Sequence, residues 1–307
     1  MSTSVRTTAA SLRVLLDRSI DYAGLFPPAS LDMRPSVINY ARYLLDPPSW
    51  ALGRFVVPLS RLDEFLSVRD VASGDLWHLS GIVSANSVSS RVSDLAAADI
   101  FNRMAYGARI ESVEVRVSTP QEIELVREHQ PPGIALFFEV APESADELLP
   151  MVRRVGGCAK LRAGGVRAEA IPSIETIANF LQRCAGLGVP FKATAGLHHP
   201  LRGTHPLTYD TNSPQATMHG FLNVFTAAAL AWATRGSVPR AMLATCLAEP
   251  ERANWHFGED ALTWSGDPQP VRIELDTLRA MRSNFALSFG SCSFEEPIQE
   301  MRELDLL

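Results

Sequence analysis

The sequence predicts a (β/α)8 TIM barrel, and three observations lead to that fold. Eight short apolar runs of the kind that form buried strands are spread along the chain. Most of them are followed by a segment of about ten to fifteen residues with helical spacing of its apolar positions. Strands that alternate with helices form parallel sheets, and 307 residues suffice for eight such units and one insertion. An open three-layer sheet is the alternative, because periodicity alone does not show that a sheet closes.

The predicted strands are the eight apolar runs, each short enough to be a single buried strand. In chain order they are residues 20–26, 54–59, 76–83, 112–117, 134–140, 158–161, 190–194 and 285–289.

The predicted helices lie between these strands, after an opening amphipathic segment at residues 12–18. In chain order they are residues 34–45, 60–68, 91–104, 120–129, 145–155, 173–187 and 297–304. Several have helix start signals. Ser60 and Thr119 are each followed within a few residues by an acidic side chain, Pro120 stands in a first turn, and Ser173 precedes Glu175.

We expect one TIM-barrel domain over residues 1–307, with an insertion at residues 201–283 between the seventh and eighth strands. Helices are predicted within it near residues 215–235 and 239–249. The insertion is a candidate lid or a contact between copies of the chain.

Composition excludes several classes of protein. The net charge is −6 and basic residues do not cluster, which argues against nucleic-acid or anionic membrane partners. The four cysteines form no C-x-x-C pair, so we expect free thiols. The N-terminus lacks the apolar core of a signal peptide, and the longest apolar stretch, residues 221–233, is too short to span a bilayer. The expected location is the cytoplasm.

The two lysines are the most informative residues of the chain. Lys160 and Lys192 are the only ones, whereas the other 26 of the 28 basic residues are arginine. Each lysine closes a short apolar run, so the two stand at equivalent positions on neighbouring strands. A desolvated lysine can lose its proton and attack a carbonyl, whereas arginine stays protonated. A second ammonium nearby favours the neutral amine.

Other polar residues occur at the ends of the same strands. In residues 112–117, alternation places Glu114 and Arg116 on one face and three valines on the other. Glu139 ends the fifth strand, Arg162 follows Lys160 by two residues, and Thr194 follows Lys192 by two. Because barrel active sites lie at the carboxyl ends of the strands, we expect these groups in one mouth. A buried structural ion network is the alternative.

Two motifs contain the lysines. Residues 160–165 read Lys-Leu-Arg-Ala-Gly-Gly, and residues 188–196 read Gly-Val-Pro-Phe-Lys-Ala-Thr-Ala-Gly. A predicted helix opened by Ile-Pro-Ser at residues 171–173 lies between them. In order and spacing, the segment at residues 111–196 resembles the central part of deoxyribose-phosphate aldolases, which are barrel enzymes that form Schiff bases.

This resemblance implies a set of roles. Lys160 would be the imine-forming nucleophile, and Lys192 would be the cation that lowers its pKa. Glu114 would stand where that family has the acid of its proton relay. Phe-Gly-Ser291 would correspond to the Gly-Ser turn after the last strand. The implied activity is that of a carbon–carbon lyase of the Schiff-base aldolase type, and no cofactor is expected. From its place at the end of the fifth strand, Glu139 is a further candidate catalytic carboxylate.

The expected substrate is a small carbonyl compound that carries an anionic group. Arg116 and Arg162 could hold a carboxylate or phosphate by bidentate contacts. His198 and His199 follow the seventh strand, and at most one of these neighbours would enter the mouth. Asp21, at the end of the first strand, would help to shape the pocket.

Two other functions stay open at this point. One is a metal-dependent hydrolase or lyase that uses His198 or His199 with Glu139, although no H-x-H or H-E-x-x-H spacing occurs. The other is a non-catalytic barrel that binds a small anion or a protein. Association of copies of the chain is expected by analogy with other barrels.

Overall fold

A computed structural model of the protein describes residues 8–69, 76–84, 87–104, 106–266 and 269–307. Within them the strands are β1 (Ile20–Tyr22), β2 (Leu52–Pro58), β3 (Trp77–Ile82), β4 (Ala108–Val117), β5 (Ala135–Val140), β6 (Cys158–Arg162), β7 (Phe191–Thr194), β8 (Gly203–Pro206), β9 (Gln215–Met218), β10 (Trp255–Phe257), β11 (Ala261–Trp264), β12 (Val271–Glu274) and β13 (Ala286–Ser291).

The barrel consists of β1–β7 and β13, all parallel. The sheet closes because β1 pairs with β2 on one side and with β13 on the other. The predicted barrel is therefore confirmed, and the open sheet is wrong. The first predicted strand is too long, since it ends at Tyr22 and the apolar residues after it form a turn.

The α-helices of the described residues follow the predicted alternation. They are α1 (Ala10–Leu16), α2 (Met33–Leu45), α3 (Leu62–Val68), α4 (Val88–Met104), α5 (Pro120–Glu128), α6 (Ala145–Arg154), α7 (Ile174–Leu187), α8 (Phe221–Ala233), α9 (Arg240–Ala248), α10 (Leu275–Asn284) and α11 (Glu295–Glu303).

Two of the three predicted helix start signals are confirmed. The hydroxyl of Thr119 accepts a hydrogen bond from the backbone N–H of Glu122, and that of Ser173 accepts one from Thr176. Each bond satisfies a donor that the first helical turn leaves free. Ser60 has no such role, because α3 begins only at Leu62, after a short 3₁₀ turn.

The connection between β7 and β13 differs from the predicted helical insertion. It contains α8, α9 and α10, but also an antiparallel hairpin of β8 and β9 and a three-stranded antiparallel sheet of β10–β12. The helix predicted near residues 215–235 begins only at Phe221, because residues 215–218 form β9. Short alternating segments in this region lack the long apolar runs of buried strands, which is why the sequence did not reveal them.

Helix α8 explains the most apolar stretch of the chain. Nearly all of its residues are buried, and it packs against α7, α10 and β13. A helix that is apolar on every side is suited to such an enclosed position. Among the described residues, no helix is both long enough and apolar enough to cross a membrane.

Candidate active site

The site lies inside the barrel, at the carboxyl ends of β4–β7. Glu139 on β5 is aligned with Lys160 on β6, which is aligned with Lys192 on β7. Glu114 on β4 lies two residues deeper, because Arg116 is the residue aligned with Glu139. Parallel strands in this register present their inward side chains to one mouth, as the sequence predicted for the two lysines.

Glu114 joins the two lysines. Its Oε2 lies 2.8 Å from Lys160 Nζ and its Oε1 lies 2.6 Å from Lys192 Nζ. Lys160 Nζ also lies 2.9 Å from Glu139 Oε2. Lys160 is 7% exposed and Lys192 is 2% exposed, so both ammonium groups depend on protein partners in place of water. The two amines therefore share one poorly hydrated carboxylate.

Asp21 of β1 is the second carboxylate that binds Lys192. Its Nζ donates a hydrogen bond to Asp21 Oδ2 at 2.6 Å. The hydroxyl of Ser288 on β13 donates to the same oxygen, and the backbone N–H of Arg54 donates to Oδ1. Asp21 is fully buried. It was predicted to help shape the pocket, and its carboxylate is occupied by Lys192 and the barrel wall.

The electrostatics of the site favour the ionised form of Glu114 and the protonated form of Lys160. Burial opposes ionisation of Glu114, but Lys160 and Lys192 outweigh it and hold the pKa of this carboxyl well below its usual range. Burial alone would lower the pKa of Lys160, but Glu114 and then Glu139 outweigh it, so the pKa of this amine is raised. In the resting site Glu114 is ionised and Lys160 is protonated.

This result corrects one expectation. The sequence and the aldolase resemblance predicted that Lys192 keeps Lys160 unprotonated, whereas the pKa of Lys160 is raised. The reason is that two carboxylates lie within hydrogen-bonding distance of Lys160 Nζ. Attractive charges at that distance outweigh a second ammonium whose own charge is offset by Glu114 and Asp21.

A cavity of about 280 Å³ opens above these groups. Lys160, Lys192, Glu114 and Glu139 all line it. Further lining residues come from the loop after β1, from the turns after β6 and β7, and from the connection that follows β7; these include Phe26, Pro27, Pro28, Gly165, Val166, Leu207 and Met218. The volume is at the lower end of the range for small-molecule sites, which limits the ligand to a small compound.

Two glycines let the turns after β6 and β7 meet beside the cavity. Gly196 has a φ of +71°, and a Cβ added to it would lie 2.8 Å from the Cα of Gly164. A Cβ added to Gly164 would lie 3.0 Å from the Cα of Gly196. Any larger residue would push the two turns apart, and with them the strand ends that bear the lysines.

The remaining predicted site residues divide into two groups. Arg162, Thr194 and His198 line the cavity. The Nε of Arg162 donates to the carbonyl of Gly164 at 3.2 Å, and its Nη1 lies 4.0 Å from Glu139 Oε1. Burial lowers the pKa of His198 to about 3, and this neutral ring contacts the hydroxyl of Ser291 at 3.0 Å.

Arg116, His199 and Ser291 are not among the residues that line this cavity. Arg116 is exposed near the end of β4, in register with Glu139. Ser291 is buried and supports His198. His199 turns away and contacts Glu300 of α11 through its Nδ1 at 2.7 Å. Of the two adjacent histidines, only His198 lines the cavity.

The metal site proposed as an alternative, which combined Glu139 with a histidine, does not form. Glu139 is paired with Lys160. Among the described residues, the side chains near enough to share a metal ion are those of His199, His205 and Glu300.

Sequence reasoning missed the serines that support the carboxylates. Ser80 of β3 donates a hydrogen bond to Glu114 Oε1 at 2.7 Å, and Ser112 of β4 contacts Ser80. Ser288 supports Asp21 in the same way. A serine within an apolar strand is the signal that could have revealed them, but it does not by itself indicate which face it occupies.

Comparisons with known proteins give the following matches. No family model matches the chain, and no curated protein matches it. Among solved structures, a tetrameric deoxyribose phosphate aldolase from Aeropyrum pernix is 13% identical with a TM-score of 0.43, over 64% of this chain and 87% of its own. FabK from Thermotoga maritima is 13% identical with a TM-score of 0.38, over 97% of this chain and 82% of its own.

A point mutant of the same FabK is 12% identical with a TM-score of 0.39, over 98% of each chain. The aldolase is of the family that the motifs at residues 111–196 resemble. At these identities and TM-scores, the likenesses carry no conclusion about function.

Proposed function

We propose that the protein is an enzyme of the class I aldolase type, in which Lys160 forms an imine with a small carbonyl substrate. The proposal rests on one observation. A buried amine lines a cavity and is held between two carboxylates, one of which also binds a second amine. Such a site has a nucleophile and groups that can take and return its proton.

The proton of Lys160 has two acceptors within reach. Glu139 Oε2 and Glu114 Oε2 lie 2.9 Å and 2.8 Å from Nζ. Once one of them accepts the proton, the neutral amine attacks the carbonyl carbon and the carbonyl electrons move to oxygen. The same carboxyl returns its proton to that oxygen, which gives a carbinolamine. It then carries a second proton from the nitrogen to the hydroxyl group, which leaves as water while the nitrogen lone pair forms the C=N bond. In the overall reaction, an ammonium group and a carbonyl group are converted to an iminium ion and water.

The iminium ion then acts as an electron sink for the bond beside the former carbonyl carbon. Its positive charge accepts the electron pair that a breaking carbon–carbon bond releases, or activates the adjacent C–H bond for the reverse addition. Glu114 and Glu139 lie beside it and stabilise the charge.

Lys192 would serve this chemistry through Glu114. Because both ammonium groups share one carboxylate, Lys192 weakens the hold of Glu114 on the Lys160 proton. It also keeps Glu114 ionised and fixed in place. Lys192 thus moderates the pKa of Lys160 without making this amine neutral at rest.

Arg162 is the candidate contact for an anionic group of the substrate. Its guanidinium is at the mouth, 57% exposed, and only 4.0 Å from Glu139. A substrate carboxylate or phosphate would bind its planar fork and draw it from Glu139. We expect Arg162→Gln to weaken the trapping of keto acids about tenfold or more while neutral aldehydes react as before.

Reductive trapping tests the proposal directly. Borohydride would be added to the protein with a panel of aldehydes and keto acids, and adducts would be located by peptide mass mapping. The chain offers only Lys160, Lys192 and the terminal amine, so every adduct has an unambiguous place.

We expect the adduct on the Lys160 peptide and its loss in Lys160→Met, whereas Lys192→Met keeps an adduct at Lys160. Adducts that appear only on the terminal amine, or equally on both lysines, would contradict the proposal and favour a non-catalytic anion-binding barrel. Association of copies of the chain stays a prediction, which light scattering after size-exclusion chromatography would test.

A further inference from the structure

A second cluster of ligand-type side chains lies outside the lysine cavity. It brings together His199 from the segment after β7, His205 from β8 and Glu300 from α11. Their ligand atoms all lie within 4.8 Å of one another. His199 Nδ1 is 2.7 Å from Glu300 Oε1, and the rings of His199 and His205 stack with centroids 3.4 Å apart and an interplanar angle of 7°. None of the three lines the lysine cavity.

We propose that His199, His205 and Glu300 form a binding site for a divalent transition-metal ion, with Zn²⁺ as the ion that fits the ligands best. Imidazole nitrogen and carboxylate oxygen bind Zn²⁺ at about 2.0–2.2 Å in tetrahedral geometry, which places ligand atoms roughly 3.4 Å apart. The ligand atoms already lie within 4.8 Å of one another, and one of the two stacked imidazole rings would turn so that a nitrogen of each faces the ion. The metal would replace the proton that His199 and Glu300 share.

The surroundings hold the ligands in place. A Cβ added to Gly203 would lie 2.6 Å from His205 Nε2, so the His205 ring occupies space that only glycine leaves open on β8. The backbone of His199 is tied to the start of α8, since its carbonyl accepts a hydrogen bond from Phe221. His199 is only 6% exposed. Two of the ligands are therefore restrained before an ion arrives, which lowers the entropy cost of binding.

The fourth position has a candidate ligand on the same helix. Glu296 precedes Glu300 by one turn of α11, so both side chains are on one face. Tyr209 donates a hydrogen bond to Glu296 Oε2 at 3.0 Å, and Tyr209 lies between β8 and β9. Glu296 would complete the tetrahedron, and four protein ligands make a closed, structural site.

Binding of the metal would connect three elements, since its ligands come from the segment after β7, from β8 and from α11. The metal would fasten the hairpin of β8 and β9 to α11, near the end of the chain. Leu207 follows β8 and Met218 ends β9, and both line the lysine cavity. The ion would thus fix the hairpin that borders the cavity without contacting the reacting atoms. This role does not depend on imine formation at Lys160.

Zn²⁺ alone is the probe for the test. The full chain, freed of metal with a chelator, would be titrated with Zn²⁺ by calorimetry, and Co²⁺ would report the geometry through its visible absorption. We expect one ion per chain, a tetrahedral Co²⁺ spectrum, and a melting temperature that rises by on the order of 5 °C at a hundredfold excess over Kd.

Variants localise the site. His205→Ala and Glu300→Gln should each weaken Zn²⁺ binding at least about 100-fold, since loss of a direct ligand exceeds the effect of losing a supporting group. His256→Ala is the matched control, because His256 is an exposed histidine on β10. Circular dichroism of each variant without metal verifies that it is folded.

If wild-type protein binds no Zn²⁺, or if the His205 and Glu300 variants bind it as tightly as the His256 variant, the site does not exist. A Zn²⁺ site that is lost in these variants while borohydride trapping at Lys160 still occurs would support the site and leave the imine proposal to its own test.

Discussion

The Lys192→Met substitution probes the ion network most sharply. Lys192 Nζ lies 2.6 Å from Asp21 Oδ2 and 2.6 Å from Glu114 Oε1, and its side chain is 2% exposed. At an effective dielectric constant of about 20, unit charges at that distance attract by about 6 kcal/mol per contact. The cost of removing the three charges from water offsets much of this attraction. Methionine has a similar length but no charge.

The substitution leaves two buried carboxylates facing each other without their shared cation. Removal of one partner of a buried ion pair costs about 3–5 kcal/mol, and we expect a loss of that size in the free energy of unfolding. The double variant Lys192→Met with Glu114→Gln should lose about 1–3 kcal/mol less than the sum of the two single variants, because each single variant already breaks the Lys192–Glu114 pair and the double variant loses it only once.

Urea unfolding followed by circular dichroism measures these values, provided that the slope with urea is unchanged among the variants. The control is Arg272→Met, which breaks an exposed ion pair of nearly equal length, 2.7 Å to Asp260. We expect no measurable loss there, because solvent screens exposed pairs. Equal, small losses in Lys192→Met and Arg272→Met would refute the reasoning that burial makes this network strong.

Three further predictions concern pH and backbone geometry. Because carboxylates raise the pKa of Lys160, the trapping rate should rise with pH above neutrality, and Glu139→Gln should move that rise to lower pH; an unmoved profile would contradict the assignment. The lowered pKa of Glu114 stabilises the folded protein above the unfolded pKa of this group, about 4.3. That stability is lost as pH falls through the folded pKa. Acid unfolding of Glu114→Gln should lack this pH-dependent loss. Gly196→Ala should cost more stability in thermal melts than Gly188→Ala, since both have positive φ but only Gly196 faces a backbone clash; equal losses would show that the clash relaxes.

Much of the barrel could be predicted because its elements are encoded locally. β5 and β6 differ from the predicted runs by one residue at one end, since short apolar runs next to helical periodicity leave few alternatives. The connection before β13 could not be predicted as well. Its hairpin and small sheet depend on pairing between short segments that have no strong apolar pattern.

In the candidate site, too, some features could be predicted from the sequence and others depended on contacts between distant segments. The meeting of Lys160, Lys192, Glu114 and Glu139 in one cavity could be predicted, because inward-facing side chains of neighbouring parallel strands meet in space. The partner of Asp21 could not be predicted. Asp21 is 171 residues from Lys192 in sequence, so nothing local indicates that its carboxylate is occupied.

The sequence by itself determined which residues can do chemistry and that they gather at one mouth, because residue type and strand periodicity are local properties. The tertiary structure decided how charge is distributed among them. Glu114 binds both amines, Asp21 holds Lys192, and the pKa of Lys160 is raised. It also decided that His199 joins His205 and Glu300. Interactions between charges depend on distances of a few ångströms between strands and helices far apart in the chain, and only the closed barrel fixes those distances.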